Sequence, residues 1–189
     1  SAASAVHKRQ FMYASEAFLG VRPSLEAEYL VIASPVGPYF SGGVKPVSIW
    51  VDREYSRAGA GGTGDAKCGG NYASSLLPQV VAQQLGCEQV CFLASATRTF
   101  REGRGGMNVF VVKADGSVET PELSGSILEG VTRSSIIRLL TDRGHEVVER
   151  RDPLADVLAG IRAGGVPEVV ACGPAAGRPP RGRRAARRR

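Results

Sequence analysis

Glycines at 61, 62, 64, 69 and 70 crowd around one lysine, Lys67, in the stretch GGTGDAKCGGNYASSLL that runs from Gly61 to Leu77. Glycine accepts positive φ and lets backbone or a bound group come close. A loop this rich in it is shaped for a tight crossing or a ligand. An apolar segment with helical spacing follows at once. Leu76, Leu77, Val80, Val81 and Leu85 fall on one face of a helix predicted over 72–86. Asn71 is the expected N-cap and Gly86 the expected stop. Pro78 sits inside that helix, where its ring and missing N–H cost about 3 kcal/mol. Local composition alone leaves two readings: a flexible surface turn with a solvated lysine, or a cradle for a bound group.

The basic charge of the chain does not help to choose, because it is localised. Of the 24 lysines and arginines, seven are arginines in residues 178–189, RPPRGRRAARRR, which hold no acid. The remainder carries 17 basic against 18 acidic residues and is nearly neutral. Such a tail is expected to be disordered. It is either a non-specific binder of polyanions such as nucleic acid or the product of a changed reading frame. No apolar run reaches the ~20 residues of a membrane span. Ser1–Val6 has no signal-type apolar stretch behind it, so the chain reads as cytoplasmic. Cys68, Cys87, Cys91 and Cys172 form no CxxC pair, and His7 and His145 are the only histidines. Reduced thiols and no metal site are therefore expected.

Taken in order, the pattern predicts strands at 29–33, 47–51, 89–93, 107–112, 146–149 and 169–172, with a polar, glycine-broken stretch over 98–106. Asp115-Gly116 is a hairpin turn ahead of Val118. Thr132 is the predicted cap of a helix to about Asp142, with Ile136, Ile137, Leu139 and Leu140 inward and Gly144 as its stop. Asp152 caps a third helix, with Pro153 in its favoured first position. The expected class is α+β, or mixed α/β. The expected division is an interdomain segment over 1–28, a large domain over 29–177 and the tail over 178–189.

Two features suggest chemistry when combined. Gly130-Val131-Thr132-Arg133 is a glycine turn opening onto a helix, where free N–H groups and the helix dipole favour an anion. Lys67 lies in a glycine loop, but Cys68 follows it and the spacing of a nucleotide-binding P-loop is missing. A lysine plus a phosphate turn fits a phosphorylated carbonyl cofactor that the lysine can hold covalently. Pyridoxal 5'-phosphate (PLP) has those needs, with an acid for its pyridine nitrogen besides.

GGTGDAKCGGNYASSLL resembles the lysine segment of the branched-chain aminotransferases, PLP enzymes of fold type IV. SPVGPYFSGGVKPVSIW, GGMNVF and TPELSGSILEGVTRSSI are similar to family segments in the same order, and the likeness runs from about Arg9 to Cys172. The resemblance implies the large domain of that fold and transfer of the amino group of leucine, isoleucine or valine to 2-oxoglutarate. It implies that Lys67 is the catalytic lysine, which holds the cofactor and moves the substrate proton. Tyr72 would bond the cofactor's ring oxygen, Val131 and Thr132 its phosphate. Arg9 would belong to the substrate pocket. A homodimer or larger assembly is implied as well.

The resemblance also has departures. The family's glutamate for the pyridine nitrogen lies five residues before the asparagine of its MN motif, and here that position is Gly103, one after Glu102. In an extended segment a one-residue slip turns a side chain to the opposite face, so Glu102 serves only if the register shifts. The family's Gly-Thr-Ala, a phosphate and substrate-carboxylate contact, reads Gly173-Pro174-Ala175, and proline removes a hydroxyl and an N–H. Ala175 remains the matching substrate contact. A family tyrosine two residues before the pocket arginine is His7. The small domain is expected to be almost wholly missing, and the chain alone is expected to have little or no activity. The competing readings are a non-catalytic relative acting as an interaction protein and a frameshifted product.

Overall fold

Phe110 and Val111 are neighbours, both are buried, and they serve opposite faces of one sheet. Strand residues alternate faces, so a strand buried on both sides needs a helix over each. The computed structural model, which describes residues 6–35, 46–99, 101–104, 107–151 and 153–173, supplies both. The chain divides into two units, Ser1–Ser41 and Gly42–Arg189.

The first unit holds β1 (Val6–Ala14) and β2 (Ala27–Pro35), an antiparallel hairpin paired from Val6↔Pro35 to Ala14↔Ala27. The expected boundary at 28/29 therefore falls inside a strand, and β1 has no counterpart in the sequence reading. Glu16 organises the connecting loop. It accepts from Arg22 Nη1 at 3.0 Å and from the Leu25 N–H at 2.7 Å. The Arg22 guanidinium, then the Leu25 N–H, hold its carboxyl below the usual range.

In the second unit β3 (Ile49–Val51), β4 (Gln89–Leu93) and β5 (Arg101–Arg104) form a sheet in the order 3-4-5. The β3–β4 pair is parallel and β4–β5 antiparallel. Helix α1 (Gly69–Gln84) makes the crossover between β3 and β4. A four-stranded sheet follows, in the order β8-β7-β6-β9, from β6 (Asn108–Val112), β7 (Val118–Pro121), β8 (Val147–Arg150) and β9 (Glu168–Cys172). Helix α2 (Val131–Asp142) joins the parallel pair β7 and β8, and α3 (Leu154–Arg162) precedes β9.

Phe110, Val118 and Cys172 pack with Ile136, Ile137 and Leu140 of α2. Val111 packs with Val157 of α3, with Val166 and with Val169. The Asp115-Gly116 turn forms as expected. Gly116 has φ +88°, and the Ser117 N–H donates to Asp115 Oδ1 at 2.9 Å. Glu119, buried on β7, lies between Lys113 Nζ at 3.0 Å and Arg150 Nη2 at 3.2 Å, so its charge is paired on both sides.

Several sequence expectations change. The stretch over 98–106 contains β5, whose alternation is hidden by its glycine and charges. Helix α2 begins at Val131 with Gly130 as N-cap, so Thr132 lies inside the first turn, and Leu139 faces solvent. Expected cap Asp152 lies outside the described residues, and Pro153 itself stands at the N-cap of α3. Helix α1 is turned away from its leucines. Leu76 is 65% exposed and Leu77 54%, while Ala82 is fully buried against Val90 and Phe92. A small residue lets the helix approach β4 closely, which the periodicity of large side chains does not reveal. Pro78 is among the most buried side chains and continues that small-residue face. Expected substrate contact Ala175, Pro174 and the arginine tail lie outside the described residues.

Replacing Ala82 by Leu is therefore expected to overpack the α1–β4 contact and to cost about 1–3 kcal/mol. Leu76→Gln is expected to change stability by less than about 0.5 kcal/mol. Urea titration of both variants checks the orientation of the helix, and the reverse ranking would refute it.

Candidate active site

The lysine loop is held by Asn71, which the sequence pattern placed at the helix cap, and by Thr63, Arg57 and Ser74, which it did not mark. Asn71, 4% exposed, is not the cap of α1 but its third helical residue; Cys68 is the cap. Its Nδ2 donates to the Thr63 carbonyl at 2.5 Å and to the Ala66 carbonyl at 3.0 Å. Thr63 Oγ1 returns a bond to Asn71 Oδ1 at 2.9 Å. All three polar functions of one amide are thus spent on folding residues 63–66 back onto the helix. Gly64 is buried, and a Cβ there would run into the Ser126 backbone. Arg57 Nη2 donates to the Gly64 carbonyl at 2.9 Å and also to the Ser126 carbonyl. Ser74 Oγ of α1 bonds the Arg57 carbonyl at 2.7 Å.

This leaves Lys67 at the exposed end of a fixed loop. Its Nζ donates to Tyr72 Oη at 2.5 Å, so the two residues expected to share a cofactor are brought together. Nζ stands 5.1 Å from the ring centroid. With the hydroxyl so close, that places the ammonium at the edge of the ring and not over its face, and we read the contact as a hydrogen bond. Around Gly69 there is open space, since a Cβ would meet nothing within 4 Å.

The Cys68 thiol is held below its ordinary range, first by the Gly70 N–H and next by the Thr63 hydroxyl. Cys172 is pushed up to about 11 by burial, with Arg133 opposing.

Val131 and Thr132 occupy the first turn of α2, which has no side-chain cap and no acidic residue. Its first N–H groups lack partners within the helix and carry the positive end of the dipole. Val131 is 83% exposed. Two buried polar side chains fix this turn. Asn108 Nδ2 donates to the Leu128 carbonyl at 2.9 Å, and its Oδ1 fills the space a Cβ on Gly130 would need. Arg133, 3% exposed, donates to the Pro121 carbonyl at 2.9 Å and pairs with Glu149 at 2.5 Å. In the sequence Arg133 enters only as the last residue of the Gly130-Val131-Thr132-Arg133 turn, and Asn108 only as the asparagine of the MN motif; neither is given a supporting role there.

Glu102 lies in β5, where the register breaks. Phe92 pairs with Gly103 and Leu93 with Arg101, so Glu102 is the extra residue of a β-bulge. Arg9 pairs with Ile32 in the first unit.

In the second unit a pocket of about 150 Å³ is lined by Ala60, Ser95, Thr97, Ser124, Ile127 and Arg151 among others. Among the described residues there is no group of three or more His, Cys, Asp or Glu placed to hold a metal. No described helix is long and apolar enough to cross a membrane.

The sequence profile of the amino-transferase class IV family matches residues 11–163, and the chain belongs to that family. It is 51% identical over 174 residues to the branched-chain-amino-acid aminotransferase of Mycolicibacterium smegmatis, covering 90% of this chain and 47% of that protein. Its structure superposes on the Escherichia coli branched-chain amino acid aminotransferase with a TM-score of 0.77 at 27% identity, over 90% of this chain and 54% of that one. The T.th. branched-chain amino acid aminotransferase, solved with pyridoxamine 5'-phosphate, gives 0.75 at 29% identity, again over 90% of this chain and 54% of that one. The fold is therefore that of the fold-type IV aminotransferases. The chain spans about half the length of the curated relatives it matches.

The two thiols offer a test of the geometry. Between pH 7 and 8 iodoacetamide is expected to alkylate Cys68 well before Cys172, because only a thiolate reacts and Cys68 forms one at lower pH than an ordinary thiol. Peptide mass mapping over time reads both sites, and preferential labelling of Cys172 would contradict the structure.

Proposed function

We propose that the chain is the cofactor-binding portion of a branched-chain aminotransferase that uses PLP. The observation that carries this reading is the Lys67–Tyr72 pair on a loop locked by Asn71, within a chain half identical to enzymes of that name. The donor set fits the group. Lys67 offers an exposed amine for the carbonyl carbon, and Tyr72 a hydroxyl for the ring oxygen. The turn at Val131 and Thr132 offers N–H groups and a hydroxyl for the phosphate. When bound, the cofactor supplies an electron sink for bonds at the amino acid's α-carbon.

The chain's own residues have separate tasks. Lys67 Nζ takes and returns the α-proton, and the Tyr72 hydroxyl beside it orients that amine. The first turn of α2 anchors the anion through its dipole. Glu102, the extra residue in β5, supplies the carboxylate for the pyridine nitrogen in place of Gly103. Arg9 belongs to the substrate pocket, and Ala175 contacts the substrate carboxylate. The substrates are leucine, isoleucine or valine with 2-oxoglutarate, the working assembly is a homodimer or larger, and the compartment is the cytoplasm.

Purified chain incubated with PLP and reduced with borohydride is expected to carry a pyridoxyl group on Lys67, found by peptide mass mapping. Lys67→Arg is expected to lose it. An unmodified Lys67 in the parent chain would sink the cofactor reading. Turnover of leucine with 2-oxoglutarate is expected to be weak, since Pro174 removes a hydroxyl and an N–H from the site and Glu102 stands one residue from the family position. Glu102→Gln is expected to keep the adduct and to lower whatever turnover is present. Unchanged turnover would assign the pyridine nitrogen to another group.

A further inference from the structure

We infer that Arg57 is a positioning residue that sets the spacing between the lysine loop and the turn leading to the anion-accepting end of α2. The inference rests on the cofactor reading above. A cofactor held covalently at one end and by its phosphate at the other is a ruler. It binds well only if two loops, far apart in sequence, stay at a fixed separation.

One side chain meets both loops. Arg57 Nη2 donates to the carbonyl of Gly64, three residues before Lys67, and to the carbonyl of Ser126, four residues before Gly130. Both bonds leave the same nitrogen, so the two carbonyls are held at the span of one NH2 group. The backbone of Arg57 is itself fixed to α1 by Ser74 Oγ at 2.7 Å. Where the loops meet, Gly64 packs so closely on Ser126 that no Cβ fits. The guanidinium and the missing side chain thus define one contact between the two loops. Arg57 is only partly exposed, and charged hydrogen bonds to carbonyls gain strength in such surroundings. Arg57 contacts neither Lys67 nor Thr132 through these bonds, so it acts on the cofactor through the loops.

The test compares two ligands on the full chain, PLP and pyridoxal, the same carbonyl without the phosphate. Affinities come from borohydride trapping at Lys67 over a concentration series, read by mass. Arg57→Met removes both charged hydrogen bonds and is expected to weaken PLP by about tenfold or more, and to move pyridoxal less than about twofold. Arg57→Lys keeps a cation with several donors on a different stem and is expected to restore part of the PLP advantage. Circular dichroism accompanies each variant. An equal loss for both ligands would overturn the inference, because Arg57 would then serve the lysine loop alone. Unchanged affinity for both would overturn it too. If neither variant folds, Arg57 is a fold residue and the positioning role is wrong. Absence of a PLP adduct in the parent chain instead removes the cofactor reading, and this inference with it.

Discussion

The close approach of Gly64 to Ser126 is the constraint on which the candidate site depends. Two loops that connect unlike parts of the unit, one after β3 and one after β7, touch backbone to backbone. Polar backbone brought together this way must find partners or lose solvation free energy. Arg57 answers for the two carbonyls, and Asn71 for the neighbouring turn at Thr63 and Ala66. With these groups satisfied, the loop carrying Lys67 has few other conformations. A lysine on such a loop differs from a lysine on a loose turn chiefly in entropy. Its amine is already placed, and ordering it on binding costs less.

The same logic governs the other end of the site. A helix start is a good anion site only while nothing local satisfies its N–H groups. Helix α2 meets that condition because its cap is Gly130, which has no side chain to turn inward. Glycine at that place would ordinarily loosen the turn. Asn108 compensates from β6 by occupying the space beside Gly130 and bonding Leu128, and Arg133 fixes the far side of the turn to β7 and β8. Rigidity is therefore supplied from the sheet, and the helix end stays free.

Much of this was legible in the sequence and some was not, for definable reasons. Strands buried on both faces, such as β4 and β6, show as unbroken apolar runs, and helix stops at Gly86 and Gly144 show as glycines with positive φ. The residues carrying the family likeness, Lys67, Tyr72, Val131 and Thr132, stand in a glycine loop and a helix start where local composition already pointed. What failed were inferences from side-chain size and from nearest neighbours. The leucines of α1 outvote Ala82 in any periodicity count, yet the helix packs through Ala82. Asn71 looks like a cap because it precedes the apolar run, yet its amide is committed to a loop five to eight residues back. Arg57 gives no local sign of its role, since its partner Ser126 is 69 residues away.

The fate of Glu102 turns on the same distinction between local pattern and pairing. In a continuous strand the alternation of faces would separate it from the position of Gly103, and the departure from the family pattern would be a loss. The pairing of β4 with β5 is not continuous. It skips Glu102, leaving it without a partner opposite and suspending the strict alternation at that point. Bulges concentrate next to functional sites because one added residue changes local twist without disturbing the rest of the sheet. Phe92 and Leu93, the β4 residues across from the bulge, are both buried, so the partner strand is held by the core while β5 absorbs the irregularity. Glu102 thus falls at the point of β5 where the pairing is irregular and strict alternation does not hold.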